Sequence, residues 1–222
     1  MDDKTICGFL SGDNVTTPAC AKRFCGRSAL LLALLAVSST VGAQQLIANG
    51  DFDSDLSGWS VSAGPGTIST WFPFDSAGAS SGSVLFTNDL TTAGAATINL
   101  TQCVVLAKAG RYVISAKGYL PAGQASGNLY VNPILHIPTT ACQGLGDAHG
   151  FLLPATIGSW SQESTSIEID AIDALAGASI EVRMGLQKTP ADGSIQGYID
   201  AVRVIYDPVF VDGFDPAAGA SN

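Results

Sequence analysis

Strict alternation of apolar and polar side chains is the feature that most constrains how this chain can fold. It is clearest in residues 179–188 and 111–120, where every second side chain is apolar or small. The side chains on the apolar faces are Ile180, Val182, Met184 and Leu186 in the first segment and Tyr112, Ile114, Ala116, Gly118 and Leu120 in the second. A period of two is the period of a β-strand that buries one face. The alternation therefore predicts half-buried antiparallel strands.

Further strands are predicted by the same pattern and by short apolar runs between turns. Residues 97–102 and 129–135 alternate, with Thr97, Tyr130 and Asn132 assigned to the outer face. The other segments are residues 46–48, 59–62, 67–72, 83–87, 163–169 and 196–206. Only residues 171–176 resemble a helix, and a composition of 25 Gly, 10 Pro and 13% charged residues argues against a helical bundle. About ten short strands separated by turn residues predict an all-β antiparallel β-sandwich of the jelly-roll type.

The N-terminal region has the three parts of a secretory signal peptide. Basic residues at 22, 23 and 27 precede the uncharged apolar run 29–37, and small residues follow at 41–43. This run is shorter than the roughly 20 residues that span a bilayer, so no membrane span is expected, the alternative being an N-terminal anchor helix. We predict cleavage after Ala43, although the leader is unusually long and its true start codon could lie downstream. The chain then divides into a signal peptide at 1–43, a sandwich domain at 44–206 and a tail at 207–222.

Export changes what the cysteines can do. Three of the five cysteines precede the predicted cleavage site, so the exported chain keeps only Cys103 and Cys142. In an oxidising compartment this pair predicts one disulfide, worth about 3 to 4 kcal/mol for a loop of about 40 residues. The alternative is two free thiols.

Charge and motifs exclude several functions. The chain has 10 Lys and Arg against 19 Asp and Glu, which disfavours binding to nucleic acid phosphates. Neither a phosphate-binding P-loop nor an H-E-x-x-H zinc motif occurs. His136 and His149 flank Cys142, but a cysteine in a disulfide cannot supply a thiolate to zinc. The acids Asp170 and Asp173 are expected to be turn residues rather than a glycosidase pair, so a non-catalytic protein is predicted.

Four segments, in order, resemble the cellulose-binding-type carbohydrate-binding modules with a galactose-binding-like jelly-roll fold. The first is L-I-A-N-G-D-F-D at 46–53, followed by G-W at 58–59. The others are L-T-Q-C-V-V-L at 100–106 with G-R-Y-V-I-S at 110–115, G-S-W at 158–160 with I-E-I at 167–169, and G-Y-I-D-A-V-R-V at 197–204. The resemblance covers residues 46–206 and implies that Trp59 and Trp160 are packing residues. The tail F-V-D-G-F-D at 210–215 is similar to a short tail of exported Gram-negative proteins, which implies a secreted, periplasmic or cell-surface location.

The resemblance also implies a structural Ca²⁺ ion. In this family a first-strand acid and a last-strand acid hold the ion with backbone carbonyls, which makes Asp53 and Asp200 the expected ligands and Asp51 a weaker candidate. The chain departs from the pattern, because Asp53 replaces the usual Glu and Ala201 replaces a second Asp. The alternative is that the acids near residue 53 cap a polar turn.

Carbohydrate binding requires exposed aromatic rings beside hydrogen-bonding side chains. The predicted outer strand faces offer Tyr119 and Tyr130 as rings and Asn132 and Arg183 as partners, and Trp71 lies in a loop-flanked segment that could form a rim with Phe72 and Phe74. The expected ligand is a polysaccharide or cell-surface glycan, with Tyr119, Tyr130, Trp71, Asn132 and Arg183 as binding residues. The alternatives are an extracytoplasmic structural or adhesion domain without a sugar site and, less favoured, a small polysaccharide hydrolase or lyase. The sequence specifies neither the sugar nor the oligomeric state.

Overall fold

A computed structural model of the chain describes residues 43–207 except 63, 78–80, 125 and 154–156. The predicted signal peptide apart from Ala43, and the predicted tail apart from Asp207, lie outside the described residues. The elements in chain order are β1 (Gln44–Gln45), β2 (Ser60–Val61), β3 (Thr67–Phe72), β4 (Ser83–Asn88), β5 (Ala96–Leu106), β6 (Gly110–Tyr119), β7 (Gly127–His136), β8 (Asp147–Ala148), β9 (Phe151–Leu152), β10 (Ser161–Ile169), α1 (Ala171–Ala176), β11 (Ala178–Lys188) and β12 (Ile195–Asp207). In this part of the chain, no helix is long and apolar enough to cross a membrane.

The strands form two antiparallel sheets, which confirms the predicted all-β sandwich. The first sheet has the strand order β10-β6-β12-β4-β3, with β1 paired to β12. The second sheet has the order β2-β5-β11-β7-β8, with β9 paired to β7. The long central strands β12 and β11 each pair on both sides, so residues on their outer faces have neighbours from two further strands.

The predicted alternation decides which face of each strand is buried. Ile180, Val182, Met184 and Leu186 of β11 are all fully buried between the sheets, as are Ile114 and Ala116 of β6. Tyr119, Tyr130 and Asn132 fall on the outer faces, as predicted, because they alternate with buried neighbours. The one helix among the described residues occupies the predicted positions, and Asp170 caps it by accepting a hydrogen bond from the Asp173 amide at 2.7 Å.

Two strand predictions are wrong for local reasons. Residues 46–48 are not a strand, because β1 ends at Gln45 and the chain then turns through Asn49 and Phe52, which both have positive φ; the Phe52 ring is fully buried there. Thr97 is buried instead of exposed, since the pairing of β5 with β11 shifts register between Met184 and Gly185. Such a bulge moves the following side chains to the other face of a strand.

A fully buried lysine fastens the turn between β11 and β12. The ammonium of Lys188 donates hydrogen bonds to the carbonyls of Ala191 at 3.0 Å and Gly193 at 2.7 Å. A buried charge is tolerated only when hydrogen bonds replace its water shell. The carbonyls of the turn therefore surround the side-chain ammonium of Lys188.

Candidate functional site

The outer face of the first sheet carries four aromatic rings, Tyr119, Tyr198, Trp160 and Phe72, which we call the aromatic platform. A fifth ring, that of Phe74, contacts three of them. Tyr119 on β6 lies directly opposite Tyr198 on β12. Trp160 immediately precedes β10, Phe72 ends β3, and Phe74 lies in the loop that follows β3. Strand alternation predicts this placement, because the neighbours of Tyr119 and Tyr198 in their strands point into the core.

Four of the rings form a row across the strands. The centroid distances are 5.6 Å from Trp160 to Tyr119, 6.0 Å from Tyr119 to Tyr198 and 5.5 Å from Tyr198 to Phe72. Phe72 is 40% exposed, and the other rings are half-buried. Exposed rings in a contiguous group mark an interaction surface more often than isolated ones do.

The polar atoms of the platform differ from those of every other tyrosine and tryptophan in the chain. Among the described residues, the hydroxyls of Tyr119 and Tyr198 and the indole N–H of Trp160 have no hydrogen-bond partner, whereas each of the remaining five such rings donates to a backbone carbonyl. Those five pairs are Tyr112 to Lys108, Tyr206 to Ala109, Tyr130 to Thr97, Trp59 to Asn49 and Trp71 to Phe52. Packing aromatics normally satisfy their polar atoms. The platform is therefore the one place among the described residues where tyrosine and tryptophan side chains keep free donors.

The loop that carries Phe74 is fastened to the first sheet. The buried carboxylate of Asp200 on β12 accepts a hydrogen bond from the Ser76 amide at 3.0 Å. Asp75 accepts hydrogen bonds from the hydroxyl of Ser81 and the amide of Ala77, which lower the pKa of its carboxyl. Burial raises the pKa of Asp200 above its usual value despite its hydrogen bonds. Asp200 thus holds the loop against the first sheet, and Asp75 links residues within the loop.

Three predicted binding residues come together on the outer face of the second sheet. Arg183 on β11 lies opposite Asn132 on β7, and Gly185 lies opposite Tyr130. Arg183 is already paired with Glu181 at 2.6 Å. The Tyr130 hydroxyl passes over Gly185 and donates to the Thr97 carbonyl, and burial raises the pKa of Tyr130 to about 12, so this donor stays protonated at ordinary pH. These side chains lie on the opposite outer surface from Tyr119.

The predicted binding residues therefore do not form one groove. Trp71 is a correction: it faces the interior, packs against the core and donates from its indole N–H to the Phe52 carbonyl at 2.7 Å. Trp160 is a second correction, since the resemblance implied a packing position and the structure places it in the platform, whereas Trp59 is buried as expected. Tyr198 was not predicted. Its position next to the inward Ile199 is the signal that could have identified it.

The two predicted metal ligands, Asp53 and Asp200, differ in their exposure to solvent. Asp53 is exposed, while Asp200 is 2% exposed and its two oxygens accept the amides of Ser76 and Ala201. Within the described ranges, no three side chains of His, Cys, Asp or Glu lie together as a metal ligand set. Asp200, with two carboxylate oxygens in a buried position, is the predicted ligand whose surroundings could hold a cation together with backbone carbonyls. The predicted disulfide, by contrast, is formed between Cys103 and Cys142.

One stretch has the letters of a catalytic motif without its context. Residues 78–82 read G-A-S-S-G, which matches the G-x-S-x-G pattern of serine hydrolases. That motif requires a strand, a sharp turn and a helix, but here strand β4 follows directly. Residues 78–80 lie outside the described residues.

The comparisons with known proteins identify the fold. No family model matches the chain, and no curated protein matches it. A candidate sugar-binding protein from Bacteroides thetaiotaomicron superposes with a TM-score of 0.51 at 13% identity, covering 74% of this chain and 100% of that one. The enzymatically active domain of tailspike protein 4 from bacteriophage CBA120 superposes with a TM-score of 0.50 at 16% identity, covering 72% of this chain but only 21% of that chain. A family 61 carbohydrate-binding module in complex with β-1,4-galactotriose is similar at a TM-score of 0.48 and 16% identity, over 74% of this chain and 99% of that one.

Proposed function

We propose that this protein is an exported, non-catalytic β-sandwich module that binds a polysaccharide or another glycan through the aromatic platform. The observation that carries the proposal is the set of free donors and acceptors on Tyr119, Trp160 and Tyr198. The fold shared with a candidate sugar-binding protein supports it. The apolar run and small residues at 29–43 support export, and the tail at 210–215 supports a Gram-negative cell envelope or its exterior.

The chemistry of the platform matches that of a sugar ring. A pyranose has an apolar face of C–H groups and a rim of hydroxyls, so it needs a flat apolar surface with polar atoms at its edge. Tyrosine and tryptophan supply both in one side chain. The strongly acidic chain, with net charge −9, disfavours anionic glycans. The favoured ligand is therefore an uncharged polysaccharide.

Affinity electrophoresis across a panel of soluble neutral polysaccharides tests this proposal. We expect at least one polysaccharide to retard the protein, and Tyr119→Ala and Tyr198→Ala each to weaken binding about tenfold, equivalent to about 1.4 kcal/mol. Tyr119→Phe and Tyr198→Phe keep the rings and remove only the free hydroxyls, so an intermediate loss is expected.

The control variant is Tyr130→Phe, which removes a tyrosine hydroxyl on the opposite sheet. It should leave retardation unchanged. If Tyr130→Phe abolished binding and the Tyr119 variants did not, the site would lie on the second sheet. If no polysaccharide retarded the native protein, the structural or adhesive alternative would be favoured.

We further propose that Asp200 is a ligand of a structural Ca²⁺ ion. The supporting observation is electrostatic: Asp200 is buried with Asp75 nearby, and both burial and the charge of Asp75 raise the pKa of Asp200. A cation would stabilise the ionised carboxylate there. We expect EDTA to lower the melting temperature measured by circular dichroism and added CaCl₂ to restore it. An identical melting curve with and without EDTA contradicts the proposal.

A further inference from the structure

Phe74 lies on top of the platform that the proposed function assigns to the ligand. Its ring is stacked on Trp160 with a centroid distance of 5.3 Å and an interplanar angle of 29°. It also meets Tyr119 at 5.0 Å and Tyr198 at 5.1 Å in edge-to-face geometry. One side chain thus contacts all three rings that keep free polar atoms.

The contact between Phe74 and the platform leaves the polar atoms of the platform unpaired. The Phe74 ring stacks on Trp160 and meets Tyr119 and Tyr198 edge-to-face, but it has no polar atom that could pair with their hydroxyls or N–H. A sugar ring in the same position could stack on the indole and also bond to those polar atoms. Since a satisfied polar atom contributes more than an unsatisfied one, the sugar is the better occupant.

The backbone that presents Phe74 is held in place independently of its ring. The Phe74 amide donates to the Phe72 carbonyl at 2.8 Å, and the Ser76 amide donates to the buried Asp200. The Phe74 side chain can therefore leave the platform by rotating about its own bonds, without moving the loop. Rotamer changes of a partly exposed side chain are fast compared with loop motions.

We propose that Phe74 occupies the stacking position of the ligand, so that a glycan binds only after displacing the Phe74 ring from Trp160. This inference rests on the proposed function. It makes Phe74 a residue that sets the affinity and selectivity of the site, because only a ligand that uses the polar atoms of the platform gains enough to displace it. Weak, purely apolar ligands are excluded.

The test compares alanine variants of two nearby phenylalanines for their affinity to one glycan that retards the native protein. Phe74→Ala should bind about tenfold more tightly, since the competing ring is gone. Phe72→Ala, which removes the ring at the end of the row that contacts Tyr198 but not Trp160, should bind more weakly. Acrylamide should quench tryptophan fluorescence more strongly in Phe74→Ala than in the native protein, since Trp160 loses its cover.

The outcomes separate the two proposals. If the native protein and Phe72→Ala behave as expected but Phe74→Ala binds equally or more weakly, Phe74 is part of the binding surface and the displacement proposal fails alone. If neither the native protein nor Phe74→Ala binds any glycan, the proposed function fails and the displacement proposal with it. Should Phe74→Ala not fold, Phe74→Leu replaces it, with a smaller gain in affinity expected.

Discussion

Replacing Gly185 with alanine is expected to lower the free energy of unfolding by about 3 kcal/mol or more, at the upper end of the range for overpacking. A Cβ atom at this position would lie 1.6 Å from the Thr97 carbonyl oxygen and 2.4 Å from the Tyr130 hydroxyl oxygen. The first clash is with backbone, so no side-chain rotation relieves it. Strand β11 pairs with β5 on one side and β7 on the other, which prevents it from shifting aside.

Urea denaturation followed by tryptophan fluorescence measures this effect. Gly64→Ala is the matched control, because a Cβ there meets only the Thr67 hydroxyl oxygen at 3.4 Å. We expect the control to change stability by less than about 1 kcal/mol. A Gly185→Ala protein as stable as the control would show that the close approach of β5 to β11 is wrong.

Removing the disulfide should have the second large effect on stability. Cys103 and Cys142 are 39 residues apart, and the Cys103→Ser, Cys142→Ser double variant is expected to lose about 3 kcal/mol. The main cause is the greater conformational freedom of the unfolded chain once the loop is open. In the folded state the loop keeps other ties, since the Ser179 hydroxyl accepts from the Cys142 amide at 3.1 Å and donates to the Thr139 carbonyl at 2.8 Å.

Because these hydrogen bonds of Ser179 remain in the variant, the experiment isolates the contribution of the disulfide. The double variant should fold to the same far-ultraviolet circular dichroism spectrum and lose stability in urea, and native protein treated with dithiothreitol should unfold at the same urea concentration as the variant. Equal midpoints for the oxidised and reduced proteins would contradict the expected contribution. The serine variant controls for effects of the reductant itself.

Alternation in the sequence predicts the strands well because burial on one face is a local property. The inward side chains of β6 and β11 follow the pattern position by position. The method fails where one residue changes the period. The bulge beside Gly185 buries Thr97, and the turn at Asn49 and Phe52 leaves residues 46–48 outside the strands. Neither event leaves a periodic signal.

The platform could be predicted only in part for a different reason. Alternation places Tyr119 on an outer face, but its neighbour Tyr198 is far away in sequence and becomes adjacent only through the register of β6 with β12. The same limit explains why the pattern places Tyr119 and Tyr130 together: alternation distinguishes inside from outside but does not tell which of the two sheets a strand joins. Trp160 was assigned to the core by resemblance alone.

The buried ammonium of Lys188 makes the structure of one turn independent of the ions in solution. The turn at 189–194 is organised around a positive charge that is covalently attached to strand β11. Because the ammonium is covalently attached, no chelator can extract it and no change in the salt or mineral content of the medium can exchange it. Because it is buried, salt also screens its interactions only weakly. At this end of the sandwich, the Lys188 ammonium binds the carbonyls that a structural metal ion would otherwise bind, so the turn does not depend on an ion from the medium.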